Sequence, residues 1–342
     1  MTFDWFVGID ISKATLDAAL CHRDNPDQFT HQQFTNTTTG FKQLLRWVTK
    51  QKVNTGNSFF CMEHTGHYTL ALCCFLQEGG LSYTLVSPLH LKKSLGIVRG
   101  KNDQVDAQRI TQYACLRYRT LKPMQLPSAC LLKLKNLMAF RERLTKTKVS
   151  LKQTLQDLRD TSSLVDNSFI IKQSEKQLKL VEQQIKYTDQ QMEATIQEDE
   201  QVQNHFRLIS SVVGIGMITA AAFLIYTQNF SAFDNGRQFA CYAGVAPFER
   251  PPLRYRSGSS IRGSTKVSPL ANRKMKALLS NCASAAVQHD PELKAYYQRK
   301  LNEGKAKLAA LNAVKAKLIN RIFATVNRGT EYVVLRQYGQ AA

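Results

Sequence analysis

Apolar runs and helical repeats alternate along the N-terminal third of the chain. Short apolar runs are typical of buried strands. The strand candidates are residues 5–10, 14–22, 29–36, 58–63 and 81–88. Residues 37–51 instead repeat their apolar positions three and four apart, as one face of a helix requires, and residues 67–80 form a second helical segment that ends in glycines. Strands followed by alternating helices and strands predict an α/β N-terminal domain over residues 1–122, with a mixed sheet covered by helices.

The middle of the chain, residues 123–206, carries a leucine repeat with spacings of three and four. The first run occupies positions 134, 137, 141, 144, 148, 151, 155 and 158, where Arg141 and Lys148 interrupt the leucines. A second run follows at 178, 181, 185, 188, 192 and 195. Two long helices joined through residues 160–169 predict an antiparallel hairpin or an α-helical coiled coil. An ordinary bundle core is the alternative, but the Gln- and Lys-rich flanks favour a coiled coil that protrudes or dimerises.

The C-terminal part, residues 207–342, is predicted to be mainly α-helical. Gly214 and Gly216 fall in a tight turn between two apolar helical segments, in the manner of a helix-hairpin-helix. Backbone N–H groups in such a turn can face a DNA phosphate, although many helical hairpins only pack a core. The uncharged stretch 208–233 is dense in apolar residues over only 15 positions, 212–226, and a membrane span needs about 20. We therefore expect no membrane segment.

Charge distinguishes the C-terminal part from the rest of the 342-residue chain. The formal net charge is +20, and residues 207–342 hold 20 Lys and Arg against 6 Asp and Glu. A basic excess confined to one region indicates a polyanionic partner, since cationic side chains on phosphates release counterions. The eight cysteines show no C-x-x-C spacing, and no signal peptide is visible at the start. Reduced thiols are typical of a cytoplasmic protein, and we expect this one to associate with the nucleoid when it acts.

Residues 254–266, RYRSGSSIRGSTK, combine four serines and two glycines with four basic residues. Serine and glycine alone would predict a flexible linker. The stretch 250–276, however, contains eight Lys and Arg and no acid. That charge is unusual for a connector and indicates a segment that faces phosphate.

Four carboxylates form the candidate catalytic constellation. Asp10 and Glu63 each end an apolar strand, where side chains converge on the crevice of an open α/β sheet. Asp103 and Asp106 lie three apart at a predicted helix start, so both fall on one face. Such a set can hold two Mg²⁺ ions for phosphoryl transfer. Taken singly, each has a structural alternative: Asp10 as a turn cap, Asp103 as a helix N-cap, and Asp106 as a partner of the helix dipole.

Five segments together resemble the DEDD-type insertion-sequence transposases, the insertion-sequence family "one-ten" with the Piv invertases. They are VGIDISKATLDAAL, MEHTGHY, GKNDQVDA, GIGMITAAAFL and ACYAGVAPFERPPLRYRSGSSIRG, in order over nearly the whole chain. The resemblance implies an RNase-H-like (RuvC-resolvase-like) N-terminal domain, a coiled-coil middle and a C-terminal transposase domain. It assigns the metal-ligand roles to Asp10, Glu63, Asp103 and Asp106.

The same resemblance implies the nucleophile and the partners. Ser257 takes the role of the family's serine nucleophile, and Ser259 and Ser260 are the alternative candidates for that role. The cofactor would be Mg²⁺, with Mn²⁺ as a substitute. The partners would be double-stranded donor and target DNA and a structured non-coding guide RNA, and the assembly would be a dimer to tetramer. The basic side chains around the serine are candidates for clamping phosphate; they are Arg254, Arg256, Arg262 and Lys266.

Three other classes of protein remain as alternatives from the residues. A RuvC-like resolvase would use the same carboxylates with water as nucleophile and would not need Ser257. A sugar-kinase or actin-like ATPase also opens with a V-G-I-D strand. That fold requires a glycine-rich phosphate loop directly after the Asp, where this chain has Ile11, Ser12 and Lys13. A non-enzymatic chromatin or RNA-binding protein fits the charge but leaves the buried acids unexplained.

Overall fold

The computed structural model describes residues 3–51, 53–64, 66–94, 102–246 and 270–333. The chain forms two compact units, Met1–Leu126 and Pro127–Ala342. The predicted division into three domains, with boundaries at 122 and 206, stays a prediction.

The N-terminal unit is built on a five-stranded mixed sheet in the order β3-β2-β1-β4-β5. Its strands are β1 (Trp5–Ile11), β2 (Thr15–His22), β3 (Asn25–Thr35), β4 (Ser58–Glu63) and β5 (Ser82–Val86). The first three strands pair antiparallel, and β4 and β5 join them parallel to β1. The structure therefore fits the α/β class and the mixed sheet expected for the N-terminal domain.

Helices cover both faces of this sheet. They are α1 (Thr38–Lys50), α2 (Leu70–Glu78), α3 (Pro88–Ser94) and α4 (Asp103–Arg117). Odd-numbered β1 residues such as Val7 and Ile9 pack in the core that includes α1 and α2, whereas Phe6 packs in the core that includes Ile110 and Ala114 of α4. Because both faces are buried, β1 is apolar at nearly every position instead of alternating.

Two long helices open the C-terminal unit, α5 (Ala129–Asp160) and α6 (Ser168–Gln197). They run antiparallel, since the thiol of Cys130 contacts the Thr195 carbonyl at one end and Arg159 pairs with Glu175 at the other. The coiled-coil prediction concerns supercoiling and dimer formation, and it stays a prediction.

The other helices of the C-terminal unit surround one apolar core. They are α7 (Glu200–Ser210), α8 (Met217–Thr227), α9 (Gly236–Tyr242), α10 (Arg273–His289), α11 (Pro291–Asn302) and α12 (Lys307–Arg328). Residues 219–224 of α8 are all buried, which explains the long uncharged stretch in the sequence. Within the described parts of the chain, no helix is both long and apolar enough to cross a membrane.

Candidate active site

Two acidic side chains lie side by side where β1 and β4 end. The parallel register pairs Ile9 with Met62, so the next residues, Asp10 and Glu63, stand at the same level at the carboxyl ends of adjacent strands. Parallel neighbours at one level direct their side chains to the same face of a sheet. For Asp10 and Glu63 this is the face of Phe6, Phe59 and Cys61, which α4 covers.

Helix α4 lies unusually close to this face because β1 has a glycine there. A Cβ at Gly8 would stand 2.2 Å from the backbone nitrogen of Thr111 and 2.7 Å from the Ala107 carbonyl oxygen. The Gly8 N–H donates to the Thr111 hydroxyl at 3.0 Å. That hydroxyl has the carbonyl oxygens of Ala107 at 2.8 Å and Ala19 at 3.1 Å as acceptors. Thr111 therefore fixes α4 to both β1 and β2.

The first turn of α4 carries the other two acids, Asp103 and Asp106. Asn102 caps the helix by accepting from the Gln104 N–H, so the alternative that made Asp103 the N-cap is wrong. Asp103 is instead the first helical residue, and Asp106 accepts a hydrogen bond from Arg109 at 2.9 Å. The other terminal nitrogen of Arg109 is buried without a hydrogen-bond partner among the described residues.

The pKa values of the two strand-end acids respond to the charges of their acidic neighbours. The pKa of Asp10 is raised to about 6, first by burial and then by the negative charges of Asp106, Asp103 and Glu63. Burial and the charge of Asp106 also raise the pKa of Glu63. Asp10, Glu63, Asp103 and Asp106 are called the acidic cluster below. Their mutual repulsion shows a surplus of negative charge that Arg109 only partly offsets.

The acidic cluster has the donor chemistry of a divalent-cation site, but its side chains do not surround one common position. Among the residues described, no three Asp, Glu, His or Cys side chains stand where one ion could bind them together. Carboxylate oxygens are nevertheless the ligands that Mg²⁺ prefers, and it needs only one or two of them together with water and substrate phosphate. A cation would also offset the repulsion that raises the pKa of Asp10. These residues therefore fit Mg²⁺ or Mn²⁺ as ligands.

A fifth acid beside the cluster has a different environment. Asp17 stands directly opposite Asp10 in the β1–β2 pair. It is buried, and it accepts hydrogen bonds from His31 (2.9 Å) and Gln33 (3.0 Å) of β3. Sequence reasoning missed Asp17, Thr111 and Arg109. Pairing the two predicted strands as a hairpin about the turn at residues 12–15 would have found Asp17 opposite Asp10, whereas no sequence signal marks the other two.

The turn predicted between two apolar helices lies between α7 and α8. Gly214 adopts φ +90°, a conformation that favours glycine, and a Cβ there would meet the Cys282 carbonyl oxygen and the Ala286 Cβ, each at 2.8 Å. Gly216 caps α8 and has open space around its Cα. Gly214 thus packs closely against α10, whereas a Cβ at Gly216 would meet nothing within 4 Å. The DNA contact predicted for these two glycines stays a prediction.

The serine segment falls outside the described residues, and so do its predicted phosphate contacts. This applies to Ser257, Ser259, Ser260, Arg254, Arg256, Arg262 and Lys266. The residues that flank residues 247–269 have hydrogen-bond partners on other elements of the C-terminal unit. The Asn312 side chain donates to the Val245 carbonyl at 2.7 Å, and the Asn272 N–H donates to the Tyr242 carbonyl at 2.9 Å. Helices α9, α10 and α12 therefore hold both described ends.

The comparisons with known proteins place the chain among the transposases. Residues 7–162 match the model of DEDD-type IS110 transposases, and residues 206–298 match the model described as "Transposase IS116/IS110/IS902 family". These two separate matches together cover more than half of the chain. The protein belongs to the IS110 family of insertion-sequence transposases.

Relatives with curated descriptions extend over different parts of the chain. The pilin gene-inverting protein of Moraxella bovis is 24% identical over 331 residues, which cover 96% of this chain and 97% of the relative. An IS110 protein of 43.6 kDa from Streptomyces coelicolor is 31% identical over 125 residues, 36% of this chain and 29% of its own length. A solved T. thermophilus RuvC, in complex with a Holliday junction substrate, matches 35% of this chain and 99% of its own at 12% identity, with a TM-score of 0.28.

Proposed function

We propose that this transposase cleaves and rejoins DNA strands by means of a divalent-cation site in the acidic cluster and a serine nucleophile, Ser257. Asp10, Glu63, Asp103 and Asp106 take the ligand roles. The N-terminal unit is the RNase-H-like catalytic domain of this scheme. The C-terminal unit supplies the helical pair and the serine segment.

The observation that carries the proposal is the position of Asp10 and Glu63 at adjacent strand ends beside the two acids of α4, together with the raised pKa of Asp10. Three other carboxylates act on it from a neighbouring strand and from the first turn of α4, and their charges oppose its ionisation. A protein gains no stability from such an arrangement, so its residues point to a function. Structural acids elsewhere in the same sheet, such as Asp17, have hydrogen-bond partners of their own.

The acidic cluster, Thr111 and Arg109 each have a defined role in the proposed reaction. A bound Mg²⁺ supplies Lewis-acid polarisation of the scissile phosphate and stabilises its developing negative charge. Asp10 and Glu63 hold their positions on two strand ends, and Thr111 keeps Asp103 and Asp106 opposite them. Arg109 orients the carboxylate of Asp106 through its hydrogen bond. The phosphodiester would therefore be held next to the strand ends rather than in a closed cavity.

The serine performs a transesterification. The Ser257 oxygen forms a bond to phosphorus, the bond from phosphorus to the leaving strand oxygen breaks, and the serine proton passes to solvent while the leaving oxygen is protonated. In the second step a hydroxyl of another strand forms the new P–O bond and releases its proton, while the bond to Ser257 breaks and the serine oxygen is protonated again. No oxidant or energy source is consumed. Arg254, Arg256, Arg262 and Lys266 would hold the phosphate oxygens.

The partners follow from charge and family resemblance. The basic excess of residues 207–342 suits donor and target DNA and, by resemblance, a structured guide RNA. The open backbone at Gly216 is a second DNA contact. Two relatives are named for inverting a pilin gene. In this scheme a dimer or tetramer would present the serine of one subunit to the acidic cluster of another.

A cleavage assay with paired variants tests the carboxylate part. The full chain with Asp10→Asn and Asp106→Asn should lose Mg²⁺-dependent cleavage of element-end DNA, and Mg²⁺ or Mn²⁺ should no longer raise its Tm. Asp24→Asn is the matched control, because it removes one exposed acid from the β2–β3 turn. Retained cleavage in the double variant would refute the metal site.

The nucleophile is tested separately in the same assay. Ser257→Ala should keep the metal-induced rise in Tm but lose recombination and the covalent protein–DNA adduct. Wild-type-like cleavage by Ser257→Ala without an adduct would instead indicate a RuvC-like endonuclease that uses water.

A further inference from the structure

One lysine of the C-terminal unit is buried without a counter-ion among the described residues. Lys315 lies on α12 with only 7% of its surface exposed, and buried Val314 and Leu318 flank it. The structure gives its ammonium group neither a hydrogen bond nor an ion pair to any described residue. The Nζ atom itself is not among the fully buried, unpaired side-chain nitrogens of the described residues, so a ligand can reach it. Burial of most of the side chain still makes an ammonium group without a partner costly, so proteins normally pair it or use it.

The other interior cation on the same helix shows what a structural role requires. Arg321 pairs with the fully buried Asp290 at 2.6 Å and reaches Glu292 at the same distance. Lys317, which is more exposed, also has Glu292 at 3.3 Å. Lys315 therefore differs from Arg321 and Lys317, which both have acidic partners.

The group that acts on Lys315 electrostatically is a second cation. Lys276 of α10 is half-buried, and its positive charge together with burial lowers the pKa of Lys315. No described acid is among the groups that act on the pKa of Lys315. Two lysines close enough for the charge of one to lower the pKa of the other favour an anion near both, because a single negative charge would reduce the repulsion and compensate the lost hydration.

These two lysines lie next to the ends of the segment that carries Ser257. Lys315 follows Asn312 by three residues, and the Asn312 side chain holds the Val245 carbonyl. Lys276 follows Asn272 by four residues, and the Asn272 N–H holds the Tyr242 carbonyl. Each lysine is thus one helical turn beyond a residue that anchors one described end of that segment.

We propose that Lys276 and Lys315 form a binding site for one phosphate group of the DNA backbone beside the serine segment. This inference rests on the proposed function, which brings a DNA strand to Ser257. The phosphate would lie between the two ammonium groups and would replace the missing counter-ion of Lys315. The site would position the strand near the serine without reading its sequence.

Salt-dependent binding of the full-length protein to duplex DNA of arbitrary sequence tests the proposal, in EDTA so that no cleavage is needed. The slope of log K against log salt concentration should become smaller by about 0.9 in Lys315→Met, as expected for one lost phosphate contact. Lys276→Met should give the same change, and the double variant should lose little more, because both residues contact the same phosphate. Lys276 is half-buried, so its variant keeps the test valid even if Lys315→Met fails to fold.

Lys317→Met is the matched control. It removes the same charge from the same helix, but Lys317 already contacts Glu292 and the ring of Tyr296, so the slope should stay near that of the parent. An equal change in all three variants, or none, would overturn the inference and leave the proposed function intact. Failure of the parent chain to bind DNA would contradict both. A change seen only with RNA of the same length would overturn the assignment to DNA.

Glu249 could compete with a DNA phosphate for Lys315, since it is the one acid in residues 247–269. If it neutralises Lys315 in the free protein, Glu249→Gln and Lys315→Met should be strongly non-additive in Tm, and that coupling would contradict the phosphate site. We expect additive effects, with the Tm of Lys315→Met equal to or above that of the parent.

Discussion

The backbone N–H of Gly8 donates to the hydroxyl of Thr111 at 3.0 Å, and this contact fixes the distance between strand β1 and helix α4. Two acids of the cluster stand at the ends of β1 and β4, and the other two at the start of α4. The relative positions of these two pairs therefore depend on a glycine and a threonine that bear no charge.

Substitutions at this contact should reduce both stability and cleavage. Gly8→Ala forces a Cβ against α4 backbone, an overpacking that costs about 1–3 kcal/mol or more. Thr111→Val keeps the shape but removes the hydroxyl, which should cost about 1–3 kcal/mol because the Gly8 N–H stays buried and unpaired. Thr111→Ser keeps the hydroxyl and is the control. Chemical unfolding and DNA cleavage measure both effects; a Thr111→Val protein as active and stable as Thr111→Ser would contradict the positioning role.

Two aspartates that face each other across β1 and β2 should respond in opposite ways to the same change. Asp10→Asn removes a charge that the other three acids repel, so we expect a stabilisation of about 1–2 kcal/mol at neutral pH in metal-free buffer. Asp17→Asn weakens the charged hydrogen bonds to His31 and Gln33 and should destabilise by about 1 kcal/mol. Thermal unfolding in EDTA at pH 7 measures both. Destabilisation by both changes would show that Asp10 is a structural acid.

The α7–α8 turn offers a matched pair of glycines. Gly214→Ala introduces a Cβ at positive φ and against α10, and we expect a loss of more than about 1 kcal/mol. Gly216→Ala meets no neighbour within 4 Å and should leave the stability within about 0.5 kcal/mol. If the open backbone at Gly216 contacts DNA, only this variant should bind DNA more weakly at unchanged Tm. Equal Tm losses in both variants would contradict the difference in packing.

The polar residues within the leucine repeat of α5 have partners on α6. Arg141 makes a two-pronged contact with Asp189, and Lys148 pairs with Glu182 at 2.9 Å. Arg141→Leu alone should cost about 1 kcal/mol because Asp189 loses its partner, whereas Arg141→Leu with Asp189→Leu should be nearly neutral. A double-mutant cycle in chemical unfolding measures the coupling. Strictly additive effects would show that the pair contributes nothing to the packing of the two helices.

Much of the N-terminal unit follows from local patterns in the sequence. Unbroken apolar runs ending in Asp10 and Glu63 gave the strands, and parallel pairing then requires both acids at one edge. The roles of Thr111 and Lys315 could not be predicted in this way. Threonine within a helix has no pattern that reveals a contact 103 positions away, and lysine on an amphipathic helix normally predicts a solvated face.

The leucine repeat shows a second limit of prediction from the sequence. Arg141 and Lys148 looked like interruptions, because spacing alone records hydrophobicity and not the partner across the helix pair. Asp189 and Glu182 on α6 supply that partner. Ionic residues at seam positions are therefore compatible with two helices that pack along their length.

The measurement that tests the central claim most directly is identification of the residue that becomes linked to DNA. The full-length protein is incubated with Mg²⁺ and element-end DNA, the reaction is stopped in denaturant, and the nucleotide-bearing peptide is sequenced by mass spectrometry. We predict a phosphodiester on Ser257, absent from both Ser257→Ala and Asp10→Asn and retained in Ser259→Ala and Ser260→Ala. Efficient strand cleavage with no linked peptide, or a link to a residue other than Ser257, would contradict the account.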